Sequence, residues 1–141
     1  MNLSRREALW IGFGGLAAAA VLPGKAAMAA TVDELTAAFA GGAAVGEGGL
    51  TLTAPEIAEN GNTVPIEVNA PGAVSVMLLA SGNPEPAVAT FTFGPAAGEQ
   101  RAATRIRLAQ TQDVIALAKM GDGSVVRAQT TVKVTIGGCG G

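Results

Sequence analysis

Histidine is absent from all 141 residues. Its absence removes the usual general base and the commonest metal ligand together. Tyrosine is absent too, and the one tryptophan, Trp10, falls in a leader-like stretch, so the mature chain should be almost without near-ultraviolet absorbance. Cysteine occurs once, as Cys139, which excludes an intrachain disulfide. The N-terminal apolar run, Trp10 to Leu22, is about 13 residues, short of the roughly 20 that a membrane helix needs. Nowhere does the chain offer a phosphate-binding loop, a metal-ligand cluster or an oxyanion-hole motif, so an enzyme acting alone is the weakest reading.

The N-terminus has the parts of an export signal. Ser4-Arg5-Arg6 is a twin-arginine pattern, the short Gly- and Ala-rich apolar run follows, and Ala26 to Ala30 offers small residues to a signal peptidase. That order of charge, short apolar middle and A-x-A end reads as a secretory signal on the twin-arginine route. The expected signal is residues 1–29, cleaved after Ala29. Cleavage removes Arg5, Arg6, Lys25 and Glu7 and leaves six basic against ten acidic residues, net −4. An acidic mature chain is a poor partner for nucleic acid or an anionic membrane. About 110 residues remain, enough for one domain with one core.

The mature chain should begin with a short helix. Thr31-Val32-Asp33-Glu34 reads as a capping box. Val32, Leu35, Ala38 and Phe39 are expected on one face, and Gly41-Gly42 should end the helix. The period then changes to two. Leu50–Thr53, Val64–Val68, Ala73–Leu79, Thr90–Phe93, Thr104–Leu108, Asp113–Met120 and Val125–Ile136 read as strands. Turn signals separate them: Asn60-Gly61, Pro71-Gly72, Asn83-Pro84, Gly94-Pro95 and Asp122-Gly123. Asp122-Gly123 is the strongest hairpin signal. Pro65 confines its run to a sheet edge or a strand start. About seven short strands at this spacing indicate an all-β, immunoglobulin-like sandwich over residues 30–136, with a small barrel as the competing answer. Arg105 and Arg107 lie on a solvated sheet face or face a partner or an anionic group.

The final strand runs into Gly137-Gly138-Cys139-Gly140-Gly141. Glycine holds no preferred conformation, so residues 137–141 read as a flexible swinging arm. Three residues from Ile136 to Cys139 reach roughly 10 Å when extended. Glycines on both sides keep the flanks thin enough for a narrow cleft, and valine at Gly138 or Gly140 should impair loading more than folding. A thiolate is favoured by nearby cations or helix N-termini; the nearest cation in sequence is Lys133, and the terminal carboxylate is closer. Cys139 therefore reads as a carrier thiol that other proteins load and unload. In an exported protein a single cysteine also suggests an intermolecular bond.

Three segments carry a resemblance: the ending "VKVTIGGCGG", the upstream "TRIRLAQTQDVIALAKMGDGS" and "PEIAENGNTVPIEV". Together they resemble the SoxY family, sulfur-carrier subunits of the periplasmic thiosulfate-oxidising Sox system. The resemblance implies a carrier without catalysis or cofactor of its own, with thiosulfate-derived sulfur held covalently on Cys139. It implies a heterodimer with SoxZ and export of the folded pair to the periplasm. It further implies loading by the haem protein SoxAX, release of sulfate by the dimanganese hydrolase SoxB and, where present, oxidation of the remaining sulfur by the molybdenum–haem enzyme SoxCD. The SoxZ-facing surface could draw on Val74–Leu79, Val114–Leu117 or the edge of the final strand, although core burial explains the two apolar segments equally well.

Two rivals come from other classes. A carrier acting through a Gly140-Gly141 thiocarboxylate would need cytosolic activation and a β-grasp pattern, against the leader and the strand order. An exported sandwich module crosslinked to a partner through its single cysteine would form one stable disulfide instead of exchangeable sulfur adducts.

Overall fold

The computed structural model describes residues 30–136. Helix α1 spans Val32–Ala40. The Thr31 amide donates to Glu34 Oε2 at 2.7 Å, and the Glu34 amide donates to Thr31 Oγ1 at 3.3 Å. This reciprocal pair is the expected capping box. At the other end Gly41 adopts φ 60° and its amide donates to the Ala37 carbonyl; a side chain there would resist the left-handed turn. The buried stripe differs from expectation at one position. Ala38 faces solvent, whereas half-buried Thr36 and buried Ala40 join Val32, Leu35 and Phe39. The stripe thus follows i, i+3, i+4, i+7, i+8, the narrow face a helix lays on a sheet.

Nine strands follow: β1 Val45–Glu47, β2 Thr51–Thr53, β3 Ile57–Ala58, β4 Val64–Asn69, β5 Ala73–Ala80, β6 Ala87–Thr92, β7 Arg101–Ile106, β8 Gln112–Met120 and β9 Val125–Val134. All seven expected runs are present. The two additional strands, β1 and β3, hold only three and two residues, too few to show a period of two. The larger sheet has the order β1-β9-β8-β5-β6, with β3 also on β9; the smaller is β2-β4-β7. The sheets do not close on each other, so the sandwich stands and the barrel falls. Along one side the chain pairs with β9 in β1, crosses to the small sheet as β2, and returns to β9 as β3.

Pro65 is the second residue of β4, and β2 reaches only Glu67 to Asn69. Its missing N–H therefore lies where the strand has no neighbour on that side among the described residues. The Asp122-Gly123 signal closes the β8–β9 hairpin. The Gly123 amide donates to the Met120 carbonyl at 3.0 Å, and the Met120 amide donates to Ser124 O at 2.8 Å. Gly123 has φ 88°. This is a three-residue loop whose last position needs the left-handed region.

The core fills the space between the sheets with Val64, Ile66 and Val68 of β4, Val76 and Leu78 of β5, and Val114, Ala116 and Val132 of β8 and β9. A second cluster lies on the opposite face of the large sheet. There Leu79, Ile115 and Leu117 are covered by Val32, Leu35 and Phe39 of α1 and by Met77. Lys119 Nζ stands 5.4 Å from the centre of the Phe39 ring, a cation–π contact at the rim. Strands covered on both faces read as continuous apolar runs instead of alternating ones. That accounts for Val74–Leu79 and Val114–Leu117: core burial and the helix take up these segments, apart from Val74, which is 43% exposed. The final-strand edge is different. β1 covers Val125–Arg127 and β3 covers Lys133 and Val134, so among the described residues no strand pairs with residues 128–132 on that side.

Candidate functional site: the root of the C-terminal arm

The thiol expected to carry the chemistry, Cys139, lies outside the described residues, as do Gly137, Gly138, Gly140, Gly141 and the leader 1–29. The structure does define the platform from which residues 137–141 depart.

β9 is held on both sides to its end. Toward β3, the Lys133 amide donates to Glu56 O at 2.9 Å and the Thr135 amide to Ala58 O at 3.1 Å. Thr135 Oγ1 donates to Glu59 O at 3.2 Å. On the opposite side the Val134 amide donates to Thr111 Oγ1 at 2.9 Å. The last fixed point is Ile136, whose carbonyl accepts from the Gly61 amide at 2.7 Å. The Gly61 carbonyl in turn accepts from the Leu108 amide at 2.7 Å, so Gly61 of the Asn60-Gly61 turn joins the end of β9 to the segment after β7. Asn60 shapes that turn by accepting the Asn62 amide on Oδ1 at 3.0 Å.

A buried polar staple supports the same end of the molecule. Gln112, opposite Val132 in the ladder, is 6% exposed. Its Oε1 accepts the Gly82 amide at 2.8 Å, and its Nε2 donates to Asn83 Oδ1 and to Gln110 O, each at 2.9 Å. Asn83 Oδ1 also accepts the Ala109 amide at 3.0 Å, while Asn83 Nδ2 donates to Arg107 O at 2.7 Å. The β5–β6 loop is thereby tied to the β7–β8 loop that supplies Thr111. The sequence reading missed Gln112. Its signal was readable: a polar residue at the inward parity of a strand whose other inward members are Val114, Ala116 and Ala118.

Two apolar side chains at this end are exposed. Ile57 is 57% exposed and Ile136 is 66% exposed, the two highest values among the exposed large hydrophobic residues described. Ile57 lies opposite Lys133 in the parallel β3–β9 pair, and Ile136 is the last residue described. Glu56, Glu59 and Lys133 are exposed beside them.

Arg105 and Arg107 are exposed on and just beyond β7, as a solvated face requires. Arg101 pairs with Glu67 at 2.8 Å, which raises the Arg101 guanidinium above its ordinary range, chiefly through the hydrogen bond it donates to Glu67. Both partners are substantially exposed, so the pair adds little stability. An open groove of about 590 Å³ runs past Pro55, Pro65, Ala103 and Arg105 where β2 leaves the small sheet. Among the described residues no three His, Cys, Asp or Glu side chains come together as a metal site.

Comparisons with known proteins agree with this architecture. Residues 35–139 match the family model of the sulfur oxidation protein SoxY, and the matched stretch extends to Cys139. The solved structure of the sulfur carrier protein SoxY from Chlorobium limicola f thiosulfatophilum superposes with a TM-score of 0.66 at 35% identity, covering 75% of this chain and 97% of that one. A superoxide reductase (neelaredoxin) from Ignicoccus hospitalis superposes with a TM-score of 0.55 at 16% identity, covering 76% of this chain and 95% of that one; that likeness is one of fold alone. No curated protein matches the chain.

Proposed function

The chain belongs to the SoxY family, and from that premise we propose that it carries sulfur intermediates covalently on Cys139 during periplasmic thiosulfate oxidation. Residues 1–29 direct export by the twin-arginine pathway and are removed. Residues 30–136 are the carrier domain, and 137–141 are the arm that presents the thiol. The observation that carries the reading is the family match running through β9 to Cys139, beyond a strand end fastened as far as Ile136.

In the loading step the Cys139 sulfur forms a bond to the terminal sulfur of thiosulfate. The thiol proton is released, and two electrons pass to the loading partner, SoxAX. The product is a cysteine-bound S–S–sulfonate. Water then attacks the sulfonate sulfur in SoxB, the S–S bond to that group breaks, sulfate leaves, and the outer sulfur remains on Cys139 as a persulfide with its electron pair. SoxCD, where present, oxidises that sulfur further. The carrier contributes a nucleophilic thiol, a short reach and a rigid base. SoxZ is the constant partner, and the enzymes are transient ones.

The test is an intact mass spectrum of the mature protein from thiosulfate-grown cells, before and after a reductant. Reductant-labile sulfur adducts on Cys139, absent from Cys139→Ser while that variant keeps its SoxZ complex, are the expected result. A bare thiol, or a disulfide to one fixed protein, would replace this reading with the crosslinked module.

A further inference from the structure

We propose that Asn60-Gly61 is a self-modification site, at which the turn deamidates to isoaspartate once the bond between the Gly61 amide and the Ile136 carbonyl opens. The chemistry starts from the dipeptide. A backbone nitrogen that follows asparagine can attack the side-chain carboxamide, and glycine shields that nitrogen least, because it has no Cβ. Of the five asparagines only Asn60 precedes glycine; Asn83 precedes proline, whose nitrogen has no proton to lose. In the step the Gly61 nitrogen gives its proton to water and forms a bond to Asn60 Cγ. The Cγ–Nδ2 bond breaks, the side-chain nitrogen leaves as ammonia, and a cyclic imide remains. Water then opens the ring on either side. One opening gives aspartate. The other gives isoaspartate, whose main chain runs through Cβ and Cγ. Water is the only co-reactant.

The fold holds the two reacting groups unequally. Asn60 is exposed, so its carboxamide is open to water. Gly61 is buried, and its amide donates to Ile136 O at 2.7 Å. The nitrogen attacks only after its proton is lost, and this proton is out of reach of water. Asn60 Oδ1 also accepts the Asn62 amide at 3.0 Å, which fixes the carboxamide in the turn. Attack therefore waits on the opening of the bond to Ile136, and chain ends open more readily than strand middles. The products differ in consequence. Aspartate keeps the length of the main chain, and its carboxylate can still accept the Asn62 amide. Isoaspartate adds a carbon to the main chain ahead of the Gly61 nitrogen. Gly61 then cannot serve both Ile136 O and the Leu108 amide, each at 2.7 Å in the intact turn. The displaced carboxylate also adds negative charge next to exposed Glu59. A transient opening of the end of β9 is thereby made permanent. Asp122-Gly123 is the other such dipeptide with an acidic electrophile. There the bonds from Ser124 hold the carboxyl below its usual range, so it stays ionised and is a poor target.

The experiment incubates the mature protein as purified at one mildly alkaline pH, folded and in urea. Isoaspartate is located by enzymatic methylation and peptide mass, and exchange at the Gly61 amide is followed by nuclear magnetic resonance on the folded sample. In urea residue 60 should convert. In the folded protein conversion should be slower by about tenfold or more, and by the protection factor of the Gly61 amide to within about twofold, since one opening governs both. Thr135→Pro withdraws an amide from Ala58 O and a hydroxyl from Glu59 O. With its far-ultraviolet spectrum retained, it should speed conversion and Gly61 exchange together by about fivefold or more. In the isoaspartyl fraction the Leu108 amide should lose protection that Asn60→Asp keeps. Conversion of the folded wild type at the urea rate, or none in urea, overturns the inference. So does a slowdown that departs from the Gly61 protection factor, a Thr135→Pro variant whose Gly61 exchange rises without faster conversion, or an isoaspartyl protein with Leu108 still protected. If Thr135→Pro does not fold, the match between conversion and Gly61 protection in the wild type decides by itself.

Discussion

Replacing Gln112 with leucine removes three hydrogen bonds from a residue that is 6% exposed. The losses are unequal. Asn83 Oδ1 keeps the Ala109 amide as a donor, and Gln110 is exposed, so water reaches its carbonyl. The half-buried Gly82 amide loses the side-chain oxygen that accepts it. A stranded buried donor costs about 1–3 kcal/mol, and each ordinary bond lost costs roughly 0.5–1.5 kcal/mol. Leucine returns about 1 kcal/mol through its apolar surface. The net loss is about 2–3 kcal/mol, which for a domain of this size lowers Tm by roughly 10–20 °C. Glutamate discriminates further. Both groups facing Nε2 are oxygens, and Asn83 cannot turn its amide around without losing the Ala109 and Arg107 bonds. In Gln112→Glu the introduced carboxylate therefore meets two acceptors, and its pKa would be pushed above the usual range. A raised folded-state pKa gives stability that is full below the unfolded value and lost as pH rises through the folded value. Gln112→Glu should thus be less stable than Gln112→Leu at pH ~7 and should recover toward pH ~4. Urea unfolding followed by far-ultraviolet circular dichroism at both pH values measures this. A Gln112→Leu variant within about 0.5 kcal/mol of wild type, or a Gln112→Glu variant as stable as Gln112→Leu at neutral pH, would refute the network as the cause.

Two further outcomes follow from the same geometry. The Glu34 carboxyl is held below its ordinary value by its bonds to the Thr31 backbone and side chain. Its folded-state pKa is depressed, so the capping contribution is present above the ordinary glutamate value and is lost as pH falls through the lowered one; the protection factors of α1 amides, with the intrinsic pH dependence of exchange divided out, should fall on acidification, and Glu34→Gln should flatten that dependence. Thr111→Val keeps the shape of the side chain but withdraws the acceptor from the Val134 amide. It should cost about 1 kcal/mol and raise exchange at Val134 more than at Val126, which nuclear magnetic resonance resolves residue by residue.

What could be read from the sequence was what repeats. The capping box, the Asp122-Gly123 hairpin and seven runs of alternating or continuous apolar residues each announce themselves over several positions. β1 and β3 do not, because Val45–Glu47 and Ile57–Ala58 are strands only by virtue of lying against β9; their pairing is a tertiary fact. Ala38 was misplaced for a related reason: alanine fits either side of a helix, and the sheet under α1 decides. At the arm the sequence pointed to Cys139 and its glycines by composition. It was silent on what fastens the root, since Gly61 and the adjacent Thr111 and Gln112 come from two segments distant in sequence that only the fold brings together.

The placement of β9 also governs when the protein can fold. It lies inside the large sheet, between β8 and the short strands β1 and β3, and Val45 finds its partner only at Val125. Loop closure over such a separation slows folding. On the ribosome, most of the sandwich can collect its side chains early, but the large sheet is incomplete until residues 125–134 emerge. The bonds that the end of β9 makes to Glu56, Ala58, Thr111 and Gly61 are therefore made in the last step. A chain whose β9 has not yet paired therefore has no fixed point at Ile136 from which the residues beyond it could depart.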